Sequence, residues 1–97
     1  MAQVVYSARS LEHIERAFRF LREKNPTAAL DAVAAIQSAV DSLGSHPLIG
    51  RRIEGEIREL VISYGQTGYV ALYRFLVPKD EVRVLAIRHQ RELGFQP

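Results

Sequence analysis

The sequence has no cysteine, no tryptophan, one methionine and only two lysines, Lys24 and Lys79. Without cysteine there are no disulfides, no thiolate zinc sites and no cysteine nucleophile. No apolar run approaches the roughly 18 residues of a membrane span, so no membrane partner is expected. Met1-Ala2-Gln3-Val4 shows no basic region followed by a long apolar stretch, so no signal peptide is expected either. Phosphate-binding and nucleophile-elbow glycine motifs are missing. The three histidines, His13, His46 and His89, lack metal-ligand spacing. These absences predict a cytoplasmic protein without cofactor or metal.

What remains is a chain of 97 residues, the size of one domain (1–97), with 47% apolar residues. That apolar share suits a globular core and is too high for a disordered chain. Net charge is +2, and nearly all of the 13 basic residues are arginine. Arginine suits bidentate recognition of carboxylate and phosphate. The alternative is a compositional bias with no functional content.

Val4-Val5-Tyr6 reads as a short first strand. Ser7 can then cap a helix near Ala8–Lys24, whose apolar face would be Leu11, Ile14, Phe18 and Leu21. Asn25-Pro26 marks a boundary. Proline breaks a helix interior but fits its first position, and asparagine is a good N-cap. A second helix is predicted near Pro26–Leu43, with Leu30, Val33, Ile36, Val40 and Leu43 as its stripe and Gly44 beyond it. Ser45 to Gly55 reads as a loop. Strands follow at Ile57–Ile62, Tyr69–Val77 and Val82–His89, joined by turns at Tyr64–Gly68 and Pro78–Glu81. Short connections predict an antiparallel meander. The fold class is therefore α+β: an N-terminal strand, then an antiparallel helix hairpin packed on one face of an antiparallel β-sheet.

The other sheet face would be open to a partner, because both alternating sets of the middle strand are largely apolar. In the last strand, alternation puts Val82, Val84, Ala86 and Arg88 on one side, with Arg83, Leu85, Ile87 and His89 on the other. Arg58 and Arg74 interrupt apolar strands, so each is either paired with a carboxylate or opens onto a functional surface. Arg88, His89 and Arg91 extend that basic cluster. Arg58, Tyr73, Arg74, Arg88, His89 and Arg91 are the candidate binding residues. His89 is the one candidate for proton transfer, although a lone histidine is more often structural.

Taken in order, several pieces resemble the RelE/ParE toxin superfamily, the ParE branch most. They are the first strand and its serine; Asn25-Pro26 with Ala28-Ala29; His46-Pro47 and Gly50-Arg51; Arg58 through Ile62; Gly68 through Arg74; and Val82 through Arg91. The resemblance implies the toxin of a type II toxin–antitoxin pair, a growth inhibitor of the plasmid-stabilisation kind. Its antitoxin would be a small protein whose acidic C-terminal segment, disordered when free, wraps the toxin; DNA would be met only through that antitoxin. For the ParE branch it implies inhibition of DNA gyrase by binding. For the RelE branch it implies cleavage of mRNA on the ribosome. The chain departs from the RelE pattern. Val70 stands where the RNA-cleaving members place a middle-strand arginine, their lysines on the preceding strand are missing although Glu59 is present, and the only aromatic after His89 is Phe95. This favours the non-enzymatic branch.

Overall fold

The computed structural model describes residues 1–64 and 67–90. The chain runs β1 (Gln3–Tyr6), α1 (Ala8–Lys24), α2 (Pro26–Asp41), β2 (Arg51–Glu54), β3 (Ile57–Tyr64), β4 (Thr67–Leu76) and β5 (Glu81–His89). The proposed turn residues Gly65 and Gln66, together with Arg91 and Phe95, lie outside the described residues.

Helix ends follow from side-chain chemistry. Ser7 is extended, and its hydroxyl accepts from the Ser10 N–H at 3.0 Å while donating to the Leu85 carbonyl at 3.1 Å. One residue thus ends β1, starts α1 and ties both to β5. Asn25 caps α2 by accepting from the Ala28 N–H at 3.2 Å, and Pro26 takes the first helical position. The second helix stops at Asp41; Ser42–Gly44 tightens into a 3-10 turn, so the α-helix is shorter than expected.

The sheet order is β1-β5-β4-β3-β2. The last three strands form the expected antiparallel meander. The sheet as a whole is mixed, because β1 pairs parallel with β5. No turn joins those two strands, and parallel neighbours need only a long connection, which the rest of the chain supplies. The helix hairpin carries the chain from the β1 edge to the far edge. There, Arg51–Glu54 forms a short exposed strand where a loop was expected. Its charges and neighbouring glycine hide it from pattern reading; it is a strand by pairing, not by burial.

The core lies between the helices and one sheet face, where Ile36, Val40 and Leu43 meet Tyr69, Ala71, Tyr73, Val82 and Val84. The second helix meets the core through Ala29, Ala32, Ile36 and Val40, while Leu30 is 63% exposed. Leu11 of the first helix is 53% exposed as well. Both leucines were expected inside. Alanines occupy the buried stripe instead, because small side chains let a helix approach its neighbours closely.

A bulge decides which face each β5 residue takes. Leu72 pairs with Ala86, but Tyr73 pairs with Val84, leaving Leu85 unopposed. The alternation expected from sequence therefore inverts at Leu85. Val82, Val84, Ile87 and His89 share the helix-covered side with Tyr69 and Tyr73, whereas Arg83, Ala86 and Arg88 lie on the open side with Val70, Leu72 and Arg74.

Candidate functional site

Register places the open-face side chains in rows across the strands. One row runs Ile57, Arg74, Arg83. The next runs Arg51, Glu59, Leu72, Ala86, and a third runs Val61, Val70, Arg88. The face is thus an apolar strip bordered by arginines, in which Val61 is exposed and Leu72 half-buried while Val70 and Ala86 are buried.

Arg74 and Arg83 are directly opposite, an arrangement that like charge disfavours unless it is compensated. Each has a carboxylate within reach. Arg83 donates through Nε and Nη2 to Glu81 at 3.0 and 2.7 Å, and Arg74 lies 3.9 Å from Glu56. Arg51 pairs with Glu59 in the same manner. The arginines are 44–79% exposed, so the pairs contribute little to stability and the arginines can exchange partners, although Glu59 and Glu81 are themselves largely covered.

The candidates expected to cluster divide between the two faces. Arg74 and Arg88 lie on the open face, joined by Arg83, which was not singled out although it alternates with Val82 and Val84. Arg58 sits across from Tyr73, and its Nη1 donates to the carbonyls of Leu48 and Gly50 at 3.2 and 2.8 Å. Tyr73 is fully buried, and its hydroxyl accepts from the Gly50 N–H. Burial pushes that phenol's pKa up, while the Gly50 hydrogen bond and the Arg58 charge pull it down. Both residues hold the loop before β2 in place. His89 stands edge-on to the Tyr69 ring at 5.4 Å, on the covered side.

His13 has a part that sequence reading missed. Its Nδ1 accepts from the Ile87 N–H at 3.1 Å. The last residue of β1 pairs with Val84, so beyond it the β5 edge has no strand neighbour among the described residues, and α1 supplies this acceptor. Desolvation holds the imidazole pKa below its ordinary value, and the charges of Arg16, Arg88 and Arg9 lower it further.

The comparisons agree with this architecture. The model of the ParE toxin of the type II toxin–antitoxin system parDE matches residues 4–94. The chain belongs to the ParE toxin family. It is a toxin of a type II toxin–antitoxin system, the class whose partner is an antitoxin. Toxin RelE3 of Caulobacter vibrioides is 36% identical over 92 residues, which cover 95% of this chain and 98% of that protein. Toxin RelE1 of the same organism is 35% identical over 89 residues, covering 92% and 94%. A chromosomal ParDE toxin–antitoxin system from P. aeruginosa superposes with a TM-score of 0.76 at 20% identity, over 92% of this chain and 96% of that one, which establishes the shared fold.

RNA cleavage by acid–base chemistry needs a proton acceptor, a donor and phosphate-stabilising cations around one point. Here His89 lies on the covered side and Arg74, Arg83 and Arg88 on the open one; Arg58 shares the covered side but is engaged by the carbonyls of Leu48 and Gly50. The open-face carboxylates Glu59 and Glu81 are each paired with an arginine. Among the described residues no three acidic, histidine or cysteine side chains could hold a metal ion, and no helix is long and apolar enough to cross a membrane. An apolar strip bordered by exchangeable arginine pairs is chemistry for binding a macromolecule.

Proposed function

We propose that the toxin acts by binding DNA gyrase and blocking it, without itself catalysing a reaction, and that its cognate antitoxin neutralises it. The observation that carries this reading is the separation of His89 from the open-face arginines. Val70 adds to it: the resemblance would have an RNA-cleaving toxin place an arginine there, and Val70 is buried beside Val61 and Arg88. The antitoxin's acidic, amphipathic C-terminal segment suits the same face. Its apolar side would cover Val61 and Leu72, and its carboxylates would meet Arg74, Arg83 and Arg88. DNA is reached through the antitoxin alone.

Ribosome-dependent mRNA cleavage is the second reading, favoured by the name RelE of the Caulobacter relatives. The two readings separate in one experiment. After tightly controlled induction, loss of DNA supercoiling ahead of any fall in protein synthesis is expected, with purified gyrase inhibited by the purified toxin. Protein synthesis failing first, with mRNA cut inside translated codons, refutes the gyrase reading.

A further inference from the structure

Helix α1 sorts its charges by flank. Arg9, His13, Arg16, Phe20 and Lys24 recur at three- and four-residue intervals, so they share one side of the helix over roughly 22 Å. Away from that flank opposite signs mix: Glu15 pairs with Arg19, four residues on, at 3.1 Å. Neither Arg9 nor Arg16 forms an ion pair among the described residues.

The flank lies against the edge of β5 beyond the end of β1. His13 fixes it there by accepting from the Ile87 N–H at 3.1 Å, one residue before Arg88. Arg16, Arg88 and Arg9 are all near enough to oppose protonation of that imidazole, against the smaller opposite pull of Glu12. Positive potential is therefore concentrated at this edge, and it continues through Arg88 to the border of the open sheet face.

The grouping serves no packing need, because Arg9, Arg16, Phe20 and Lys24 are all exposed. Like charges at neighbouring helical positions destabilise a helix, and a merely solvated face gains by alternating signs. Phe20 is 58% exposed, with the Lys24 ammonium over its ring at 4.6 Å. Arginines around an exposed aromatic ring are the composition of protein interfaces.

We propose that this flank of α1 is a further contact surface for the toxin's target, extending the interface from Arg88 around the β5 edge, and that it takes an acidic protein segment. This rests on the reading of the toxin as a binder of a protein target and adds a second surface to it. The guanidinium forks of Arg9 and Arg16 suit carboxylates, and the Phe20 ring supplies an apolar anchor between Arg16 and Lys24. Glu12, Glu15 and Glu23 on the same helix would repel a continuous phosphate backbone, whereas a protein segment can set its carboxylates at the arginines alone. The helix packs on the covered side of the sheet, so this contact is separable from the apolar strip on the open side.

The test measures inhibition of purified gyrase by the purified toxin, and binding of the toxin to the purified product of the adjacent reading frame. Arg9→Ala combined with Arg16→Ala should raise the half-inhibitory concentration about tenfold or more. Arg19→Ala combined with Arg22→Ala removes the same charge from the rest of the helix and should change inhibition less than about twofold. Neither pair should alter antitoxin binding or the circular dichroism spectrum. Equal loss in both pairs is an effect of net charge and overturns the surface while leaving the gyrase reading intact. Loss of antitoxin binding along with inhibition in the first pair overturns it too and assigns the flank to the antitoxin. Unchanged inhibition in the first pair also overturns it; if that pair has lost binding to a labelled oligonucleotide, the flank serves nucleic acid. A parent toxin that does not inhibit gyrase refutes the gyrase reading and this surface with it.

Discussion

The Gly50 N–H donates to the Tyr73 hydroxyl at 2.8 Å, joining the loop before β2 to the centre of the sheet. The two residues fit so closely that a Cβ on Gly50 would lie 2.6 Å from that hydroxyl and 2.7 Å from the Glu59 carbonyl. Glycine is needed here for space. Tyr73→Phe keeps the ring but leaves a buried N–H without an acceptor, which costs about 1–3 kcal/mol. Gly50→Ala must displace backbone or the Tyr73 ring and should destabilise at least as much. Urea denaturation of both variants checks this. An unchanged midpoint for Tyr73→Phe would show that the loop is not held by this bond.

His13 makes stability depend on pH in a defined direction. Its folded-state pKa lies below the ordinary value of 6.5, because burial and the charges of Arg16, Arg88 and Arg9 oppose protonation. As pH falls through that value, the unfolded chain therefore takes up more protons than the folded one. The contribution of His13 is present above pH 6.5 and is lost progressively below it. Charged imidazole also loses the Nδ1 lone pair that accepts from the Ile87 N–H. The melting temperature is expected to fall between pH 7 and pH 5, and more steeply in the parent than in His13→Ala. Parallel curves for the two proteins would exclude His13 as the source.

Tyr6 gives the opposite expectation for a hydroxyl. Its oxygen is buried with no hydrogen-bond partner among the described residues, and burial, aided by the charge of Asp41, raises its pKa. An unpaired buried hydroxyl is a cost that Phe does not carry. Tyr6→Phe should leave the protein as stable as before, or raise its stability by about 1 kcal/mol. A clear loss in thermal denaturation would mean that the hydroxyl has a partner in solution.

Punctuation residues made much of the fold legible in sequence. Ser7 and Asn25-Pro26 fix helix ends through local side-chain bonds, so Ala8–Lys24 was readable to the residue. The meander was readable because its strands are apolar and its turns short. The parallel placement of β1, the strand Arg51–Glu54 and the bulge at Leu85 depend on partners distant in the chain, and no local residue marks them. The candidate site shows the same division. Arg74 and Arg88 were found as charges inside apolar strands. The inversion at Leu85, which moves His89 to the covered side and Arg88 to the open one, is invisible to strict alternation. His13 was missed because its partner, Ile87, lies 74 positions away.

The mechanism makes the sharpest prediction. If the toxin acts by binding, growth inhibition should survive loss of the one histidine placed on the sheet. His89 packs edge-on to Tyr69, on the side of the sheet opposite to Arg74, Arg83 and Arg88. Cleavage without well-placed stabilising groups forfeits several kcal/mol of transition-state stabilisation, by analogy with the ~2.7–4 kcal/mol lost with one oxyanion-hole donor. Binding is spread over several arginine and apolar anchors, and truncating one residue rarely abolishes it. His89→Ala is therefore expected to leave growth inhibition largely intact, with circular dichroism confirming that the variant folds, since the imidazole also packs. Combined replacement of Arg88 and Arg91 by alanine should weaken inhibition, because it removes cationic anchors near the strip of Val61 and Val70 and in the segment after β5. Primer-extension mapping of mRNA after induction is the decisive measurement. Cuts inside translated codons that disappear in folded His89→Ala would place the toxin among the ribonucleases and sink the binding mechanism.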